Sequence, residues 1–291
     1  MTHPLPAIAI LAATGKVGSQ IISKLSRDGI PAKALSRNAA SSMDRENIQW
    51  VQGDIEESED LKRFLDGTEK LFLNSGVSGQ MVEQQCMIID IAKRTGIKQI
   101  VKLSTPEARS LSKSRTGEWH WKIEEYLRSS GLAWNCLQPQ SFMQNWLSTL
   151  APSIRTERKI YSAAGKGKRA FIDTRDIAGV AVKLLTDPGE WINTTIPLSG
   201  GTLIGYYDVA GAISMALNEK VSYIAQTPEL ASERMRGQGM PEFLINVTLL
   251  TEGNQAQGLA EKLLTDNVEK ITGIAPIPVD QFAIDYADYF R

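Results

Sequence analysis

The stretch AIAILAATGKVGSQII, residues 7–22, constrains the fold more than any other part of this 291-residue chain. An apolar run over residues 7–11 stops at a turn of small residues, then restarts in a helical pattern with Val17, Ile21 and Ile22 on one side. Ala12, Gly15 and Gly18 keep a G-x-x-G-x-x-G spacing in which alanine takes the first glycine's place. Glycines in such a turn let the backbone pass close to a ligand, and the helix that follows aims unpaired N–H groups at the same point. Strand, glycine turn and helix together describe a phosphate cradle opening a βαβ unit. Its candidate residues are Ala13, Thr14, Gly15, Lys16, Val17 and Gly18.

The same cadence continues. Strand patterns at 7–11, 32–35, 48–52, 70–74, 99–104 and 133–138 alternate with helical patterns at 16–28, 58–65, 80–95 and 118–130, the last stopped by Gly131. Strand, helix, strand at this rhythm implies an α/β fold, a doubly wound parallel sheet of Rossmann type. After residue 150 the pattern loosens. A short strand and a helix with Ile177, Val180, Ala181 and Leu184 on one face span 171–190, with Thr174 the expected N-cap and Asp176 near the positive helix end. Strands TIPLSG and VSYIAQ, helices near 206–217, 228–236 and 240–250, and an amphipathic tail then describe a smaller C-terminal α+β substrate lobe. The expected organisation is a dinucleotide-binding domain over 1–153, with 171–190 returning to it, and a lobe made of 154–170 and 191–291. A groove between lobe and sheet edge is the natural substrate position.

Composition removes several classes of function. With 42% hydrophobic and 22% charged residues and a formal net charge of −1, the chain has no electrostatic case for nucleic acid or a membrane surface. No segment approaches the ~20 apolar residues of a membrane span. The N-terminus lacks a basic-then-apolar signal layout, so the expected location is cytoplasmic. Cys86 and Cys136 lie in apolar contexts and read as reduced thiols. Only His3 and His120 could join them as ligands, and no Cys/His cluster has metal-binding spacing, so no metal is expected.

The second strand ends in ALSRN, which places Ser36 and Arg37, and no carboxylate, where an NAD-preferring site holds an acid for the ribose hydroxyls. A guanidinium suits the adenosine 2′-phosphate, so the expected cofactor is NADP(H). Asp54 and Ile55, after the third strand, fall where the adenine amino group would lie. Asn74, Ser75 and Gly76, after the fourth, fall against a cofactor ribose.

AATGKVG, SRN, QGDIEE, IVKLST, HWKIEEYLRSSGLAWNCLQPQSFMQN, FIDTRDIAGVA and VEKITGIAPIPVDQFAIDYADYF, in this order through nearly the whole chain, resemble the NmrA-like group of atypical short-chain dehydrogenases/reductases. That group includes NAD(P)H-dependent quinone and azo reductases, reductases of secondary metabolites, and redox-sensing regulators. Set against conventional short-chain dehydrogenases, Ser104 or Thr105 matches the carbonyl-polarising serine and Lys122 matches the lysine that binds the nicotinamide ribose. Glu118 then stands where the proton-donating tyrosine belongs, and a carboxyl near its ordinary pKa of ~4.3 is a poor donor at neutral pH. His120, which quinone reductases of the group share, is a candidate replacement. On a helix Lys122 shares a face with Tyr126, and His120 with Glu124, so only one pair can look into a site.

The resemblance implies that Lys122, His120 and Ser104 are the candidate catalytic residues, with Lys122 also on the cofactor. Phe142, Met143 and Asn145 would lie beside the nicotinamide, and Trp119, with Trp121 and Trp146 nearby, would make the pocket aromatic. The leading expectation is an NADPH-dependent reductase of a small conjugated or aromatic acceptor (quinone-like, imine or enone), acting as monomer or homodimer. The alternative is a non-catalytic NADP(H) sensor that works through a protein partner. A sugar-nucleotide epimerase is weaker, because that chemistry keeps the Tyr–Lys pair.

Overall fold

A computed structural model describes residues 7–38 and 45–291, and His3 lies outside that range. Strand β1 (Ile8–Ile10) leads through the glycine turn into helix α1 (Gly18–Arg27), then to β2 (Ala32–Ser36) and β3 (Ile48–Gln52). Helix α2 (Ser58–Leu65), β4 (Lys70–Leu73), α3 (Met81–Arg94), β5 (Gln99–Leu103), α4 (Arg115–Ser129) and β6 (Ala133–Pro139) continue the alternation. Next come α5 (Trp146–Thr149), α6 (Ala151–Glu157), β7 (Lys159–Ser162), α7 (Thr174–Thr186), β8 (Thr194–Leu198), α8 (Tyr206–Leu217) and β9 (Ser222–Ala225). The chain closes with α9 (Pro228–Gly237), α10 (Glu242–Ala256), α11 (Asn267–Thr272), α12 (Val279–Asp285) and α13 (Ala287–Phe290).

Two compact units result: Met1–Pro139 with Thr174–Pro197, and Gln140–Asp173 with Leu198–Arg291. In the first, the strands lie in the order β3-β2-β1-β4-β5-β6-β8, and the pairings from β3 through β6 are parallel. This is the doubly wound sheet read from the sequence. Winding reverses between β1 and β4, and a crevice at the carboxyl ends of the strands belongs at such a point.

Parallel strands covered on both faces must be apolar nearly throughout. Every residue of β1 and β5 is buried, with Gln99 and Lys102 the polar exceptions in β5. Gln99 is satisfied inside the sheet: its amide donates to Asn135 Oδ1 at 3.0 Å and to the Leu184 carbonyl at 3.2 Å. Helices α2, α3 and α4 send Phe64, Ile88, Ile123 and Leu127 into a core shared with Leu71, Leu73 and Ile100. Helices α1 and α7 pack against each other, and α7 also lies against β4, β5 and β6. A fully buried Leu or Ile contributes about 1.5–3 kcal/mol, several times the spread of helix propensity among ordinary residues. Packing therefore holds these helices in place.

Some local readings change. Helix α4 begins at Arg115, earlier than 118, because the Ser114 hydroxyl caps it by accepting the Gly117 N–H at 3.3 Å. Gly131 ends it with φ +83°, as the glycine suggested. Thr174 is the first residue of α7 and does not precede it, while Asp176 stays in the first turn. The expected boundary at 153 falls at Pro139, because Met143, Trp146, Leu150 and Ala151 pack into the second unit's core with Phe171 and Phe282. Trp146 meets those two rings edge-on at 4.9 and 5.5 Å. That unit pairs β7, which sequence reading missed, in parallel with β9. The short strand expected after 170 is reduced to isolated bridges, Phe142 with Ile172 and Arg169 with Ile204.

The joint between β1 and α1 is the tightest in the sheet unit's cradle. A Cβ on Gly18 would lie 2.1 Å from the Ala12 carbonyl oxygen, whereas one on Gly79 would meet nothing within 4 Å. Gly18→Ala is expected to cost ~1–3 kcal/mol and Gly79→Ala less than about 0.5 kcal/mol. Urea unfolding of the two variants beside the parent checks this, and equal midpoints for both would contradict the close approach.

Candidate functional site

The turn after β1 is built around the Ala12 carbonyl. Ala12 takes a left-handed φ of +50°, and its oxygen accepts the Gly15 N–H at 2.9 Å. Helix α1 then starts with no side-chain cap and no acid in its first turn, which leaves its positive end to an anion. Ala13, Val17 and Gly18 are buried beneath the turn, and Thr14 and Lys16 stand on its outer side.

Four strand ends meet above this turn in a cleft of about 530 Å³. Ala12 and Thr14 come from β1, Leu35 to Asn38 from β2, Gly53 to Glu56 from β3, and Ser75 to Ser78 with Gln84 from the segment after β4. The expected residues Thr14, Ser36, Arg37, Asp54, Ile55, Ser75 and Gly76 are brought together there; Asn74 is not among the lining residues. Arg37 is exposed at the end of β2, and no ion pair engages it among the described residues. The Ser36 hydroxyl donates to the Asn38 carbonyl at 3.1 Å and curls the loop. Asp54 Oδ1 accepts the Glu56 N–H at 3.1 Å, and the Asp54 N–H is held by Asp60 at 2.9 Å. Ser75 accepts a 2.9 Å bond from the buried Gln85 amide. Leu35, Val77 and Gln84 were missed, since only the convergence of loops exposes them.

Helix α4 resolves which of its faces turns inward. Lys122 points to solvent and pairs with Glu118 at 2.8 Å, the two side chains being 55% and 46% exposed. This partner holds the Glu118 carboxyl below its ordinary range, so Glu118 is no proton donor at neutral pH. Tyr126, on the same face, donates to Asp90 at 2.8 Å. The opposite face carries His120 and Glu124 toward β5 and β6.

Glu124 is fully buried. It accepts the Ser104 hydroxyl, the Gln138 amide at 3.0 Å and the Arg128 guanidinium at 2.6 Å. The Ser104 proton is thus committed to Glu124. Thr105, the other candidate, gives its hydroxyl to Glu107.

One step along the helix, His120 Nδ1 lies 2.8 Å from Lys102 Nζ, which also donates to the Leu103 carbonyl at 2.8 Å. Lys102 is wholly buried, and burial pushes its ammonium down to about 8. Burial first, and then the Lys102 charge, hold the His120 imidazolium well below its usual range, so the ring is neutral at pH 7. Because an ammonium can only donate, His120 Nδ1 is the acceptor and Nε2 carries the hydrogen. Between about 8 and the ordinary 10.5 the unfolded chain binds the extra Lys102 proton, so this residue's contribution to stability rises with pH across that window. Lys102 was the missed residue. Its signal was a single lysine inside the apolar strand QIVKLS.

Trp119 is half-buried against the sheet unit's core, with the Arg115 guanidinium 5.1 Å from its ring centroid. In the second unit Met143 is committed to the core, while Phe142 and Asn145 are half-buried. Asn145 closes a 3₁₀ turn whose N–H meets the Phe142 carbonyl at 3.1 Å.

The chain matches the NmrA-like family over residues 6–275. It is 34% identical over 289 residues to an NAD(P)H azoreductase of Xenophilus azovorans, covering 97% of this chain and 99% of that one. An NADPH-dependent quinone oxidoreductase from Escherichia coli, solved with NADPH, superposes with a TM-score of 0.81 at 24% identity, over 95% and 98% of the two chains. NmrA, a negative transcriptional regulator solved with NADP, superposes at 0.78 with 16% identity, over 98% and 96%. The last two likenesses establish a shared fold.

The Arg128–Glu124 and Lys122–Glu118 ion pairs of α4 should differ sharply in worth. Arg128 leaves a buried carboxylate behind when removed, but is itself 26% exposed. Arg128→Met is therefore expected to cost about 2–3 kcal/mol, short of the ~3–5 kcal/mol of a fully buried partner. Lys122→Met, at a solvent pair, should cost no more than ~0.5 kcal/mol. Denaturant unfolding compares them, and equal losses would contradict the inward placement of Glu124.

Proposed function

The chain belongs to the NmrA-like family, and from that premise we propose that it is an NADPH-dependent reductase of small conjugated acceptors. The observation that carries this reading is one cleft lined both by Ala12 and Thr14, from the turn that opens an uncapped and acid-free helix, and by Arg37 at the β2 terminus. The residues fit a dinucleotide phosphate group by group. The Gly15–Gly18 turn lets the backbone approach a pyrophosphate, and a side chain at 18 would close the space needed by the joint beneath it. Ser36 and Arg37 would hold a 2′-phosphate by charge-assisted hydrogen bonds, and Asp54 would meet the adenine edge.

When bound, NADPH supplies a hydride to the acceptor. The chain's part is to hold both partners in contact and to provide one proton. His120 is the group suited to that proton: neutral, half-buried, with its Nε2–H edge free of any partner among the described residues. Glu118 is held ionised, and Ser104 has already given its hydrogen to Glu124. Lys122 stands ion-paired on the solvent face, so reaching a ribose requires it to leave Glu118. Such modest acid assistance suits quinones, conjugated imines and enones, whose reduced anions are weakly basic.

The competing reading is an NADP(H) sensor without turnover, favoured by the glutamate in the tyrosine's place. NADPH consumption over a panel of quinones, azo compounds and enones separates the two. Turnover is expected for at least the quinones, falling roughly 100-fold in His120→Gln and surviving Glu118→Gln. Tight NADPH binding with no acceptor reduced would favour the sensor, and turnover lost in Glu118→Gln alone would overturn the assignment of His120.

A further inference from the structure

A lysine in the middle of a buried parallel strand has no packing rationale, since leucine or methionine would fill the same volume without a charge to desolvate. Lys102 nevertheless occupies that place, in register with Cys136 of β6 and Leu73 of β4. Its polar surroundings are few. The Leu103 carbonyl and His120 Nδ1 accept its hydrogens, Glu124 faces it from α4, and the thiols of Cys136 and Cys86 face it from β6 and α3. Among the described residues no carboxylate pairs with it directly, because Glu124 is taken up by Ser104, Gln138 and Arg128. An ammonium so placed is aimed at one nitrogen of one imidazole.

We propose that Lys102 is a positioning residue and proton reserve for His120: it fixes the Nε2–H tautomer and refills the ring when that hydrogen leaves. The inference rests on the reductase reading above. The hydride and its electron pair pass to the acceptor, which becomes an anion. The Nε2–H bond breaks and an O–H bond forms on the reduced acceptor, while one Lys102 Nζ–H bond breaks and an Nδ1–H bond forms. Lys102 is then a neutral amine. Solvent protonates Nε2 at the ring's open edge, the Nδ1 proton returns to Nζ, and the starting state is restored. One hydride and one solvent proton have been consumed. A buried ammonium also puts a positive charge one ring away from the developing anion, where low dielectric strengthens it.

The chain's having only two histidines, His3 and His120, makes the test direct. Nitrogen-15 histidine spectra, with His120→Gln to assign the ring, should show Nδ1 bare and Nε2 protonated at pH 7. The Nδ1 resonance should move as pH crosses about 8, and that movement should vanish in Lys102→Met. In quinone turnover, kcat should fall as pH rises through the same region. Lys102→Met should lower kcat roughly tenfold or more and flatten that limb, with NADPH affinity by tryptophan quenching unchanged.

A ring protonated on Nδ1, or one titrating near the ordinary 6.5 and indifferent to Lys102→Met, would overturn the fixed tautomer. Unaltered kcat and pH profile in Lys102→Met would overturn the relay while leaving the reductase reading intact. A parent chain that reduces no acceptor would overturn the reductase reading and the relay with it; the spectra still decide the tautomer by themselves.

Discussion

The close passage of α1 over the Ala12 carbonyl is the constraint from which the sheet unit's chemistry follows. Glycine is required at 18 because a Cβ would lie 2.1 Å from that oxygen. The same carbonyl accepts the Gly15 N–H, and Ala12 itself takes a left-handed backbone that glycine adopts without strain and alanine at a cost of about 1 kcal/mol. In return, the uncapped start of α1 is brought to the carboxyl ends of the strands, where the strand order reverses. Arg37, Asp54 and Ser75 fall around it because the loops after β2, β3 and β4 leave the sheet along the same edge.

A second organising feature is the set of polar groups buried on β5 and β6, facing α7 on one side of the sheet and α4 on the other. Here the sheet's apolar interior is interrupted by Gln99 with Asn135, by Lys102 with His120, and by Glu124 with Ser104, Gln138 and Arg128. Each polar group in these sets has found a partner, as burial demands. The Gln99 pair holds strands and the Arg128 cluster holds a helix to the sheet. The Lys102 pair alone ends on an imidazole with an edge left to solvent, which is why chemistry is assigned to it.

Much of this was legible in the chain. The alternation of short apolar runs with helical patterns gave the order and type of the six leading strands, and AATGKVG with SRN pointed to the cleft lining. Helical periodicity also stated correctly that His120 and Glu124 share one face and Lys122 and Tyr126 the other. It could not say which face turns inward, because both mix polar and aromatic residues; that depends on Lys102 and Ser104 across the sheet. The unit boundary was misplaced for a similar reason. Residues 140–153 continue the chain directly from β6, yet Met143 and Trp146 find their packing partners, Phe171 and Phe282, far along the sequence. A lone lysine in an apolar strand was visible throughout, but its meaning required the ring 2.8 Å away.

The central claim is that this cleft is built for a 2′-phosphorylated dinucleotide, and calorimetric titration with NADPH and NADH, for the parent chain and Arg37→Asp, tests it most directly. A charge-assisted phosphate contact of about 1.5–3 kcal/mol predicts at least tenfold tighter binding of NADPH by the parent, with the order reversed in the variant. Equal affinities in the parent, or a preference untouched by Arg37→Asp, would contradict it.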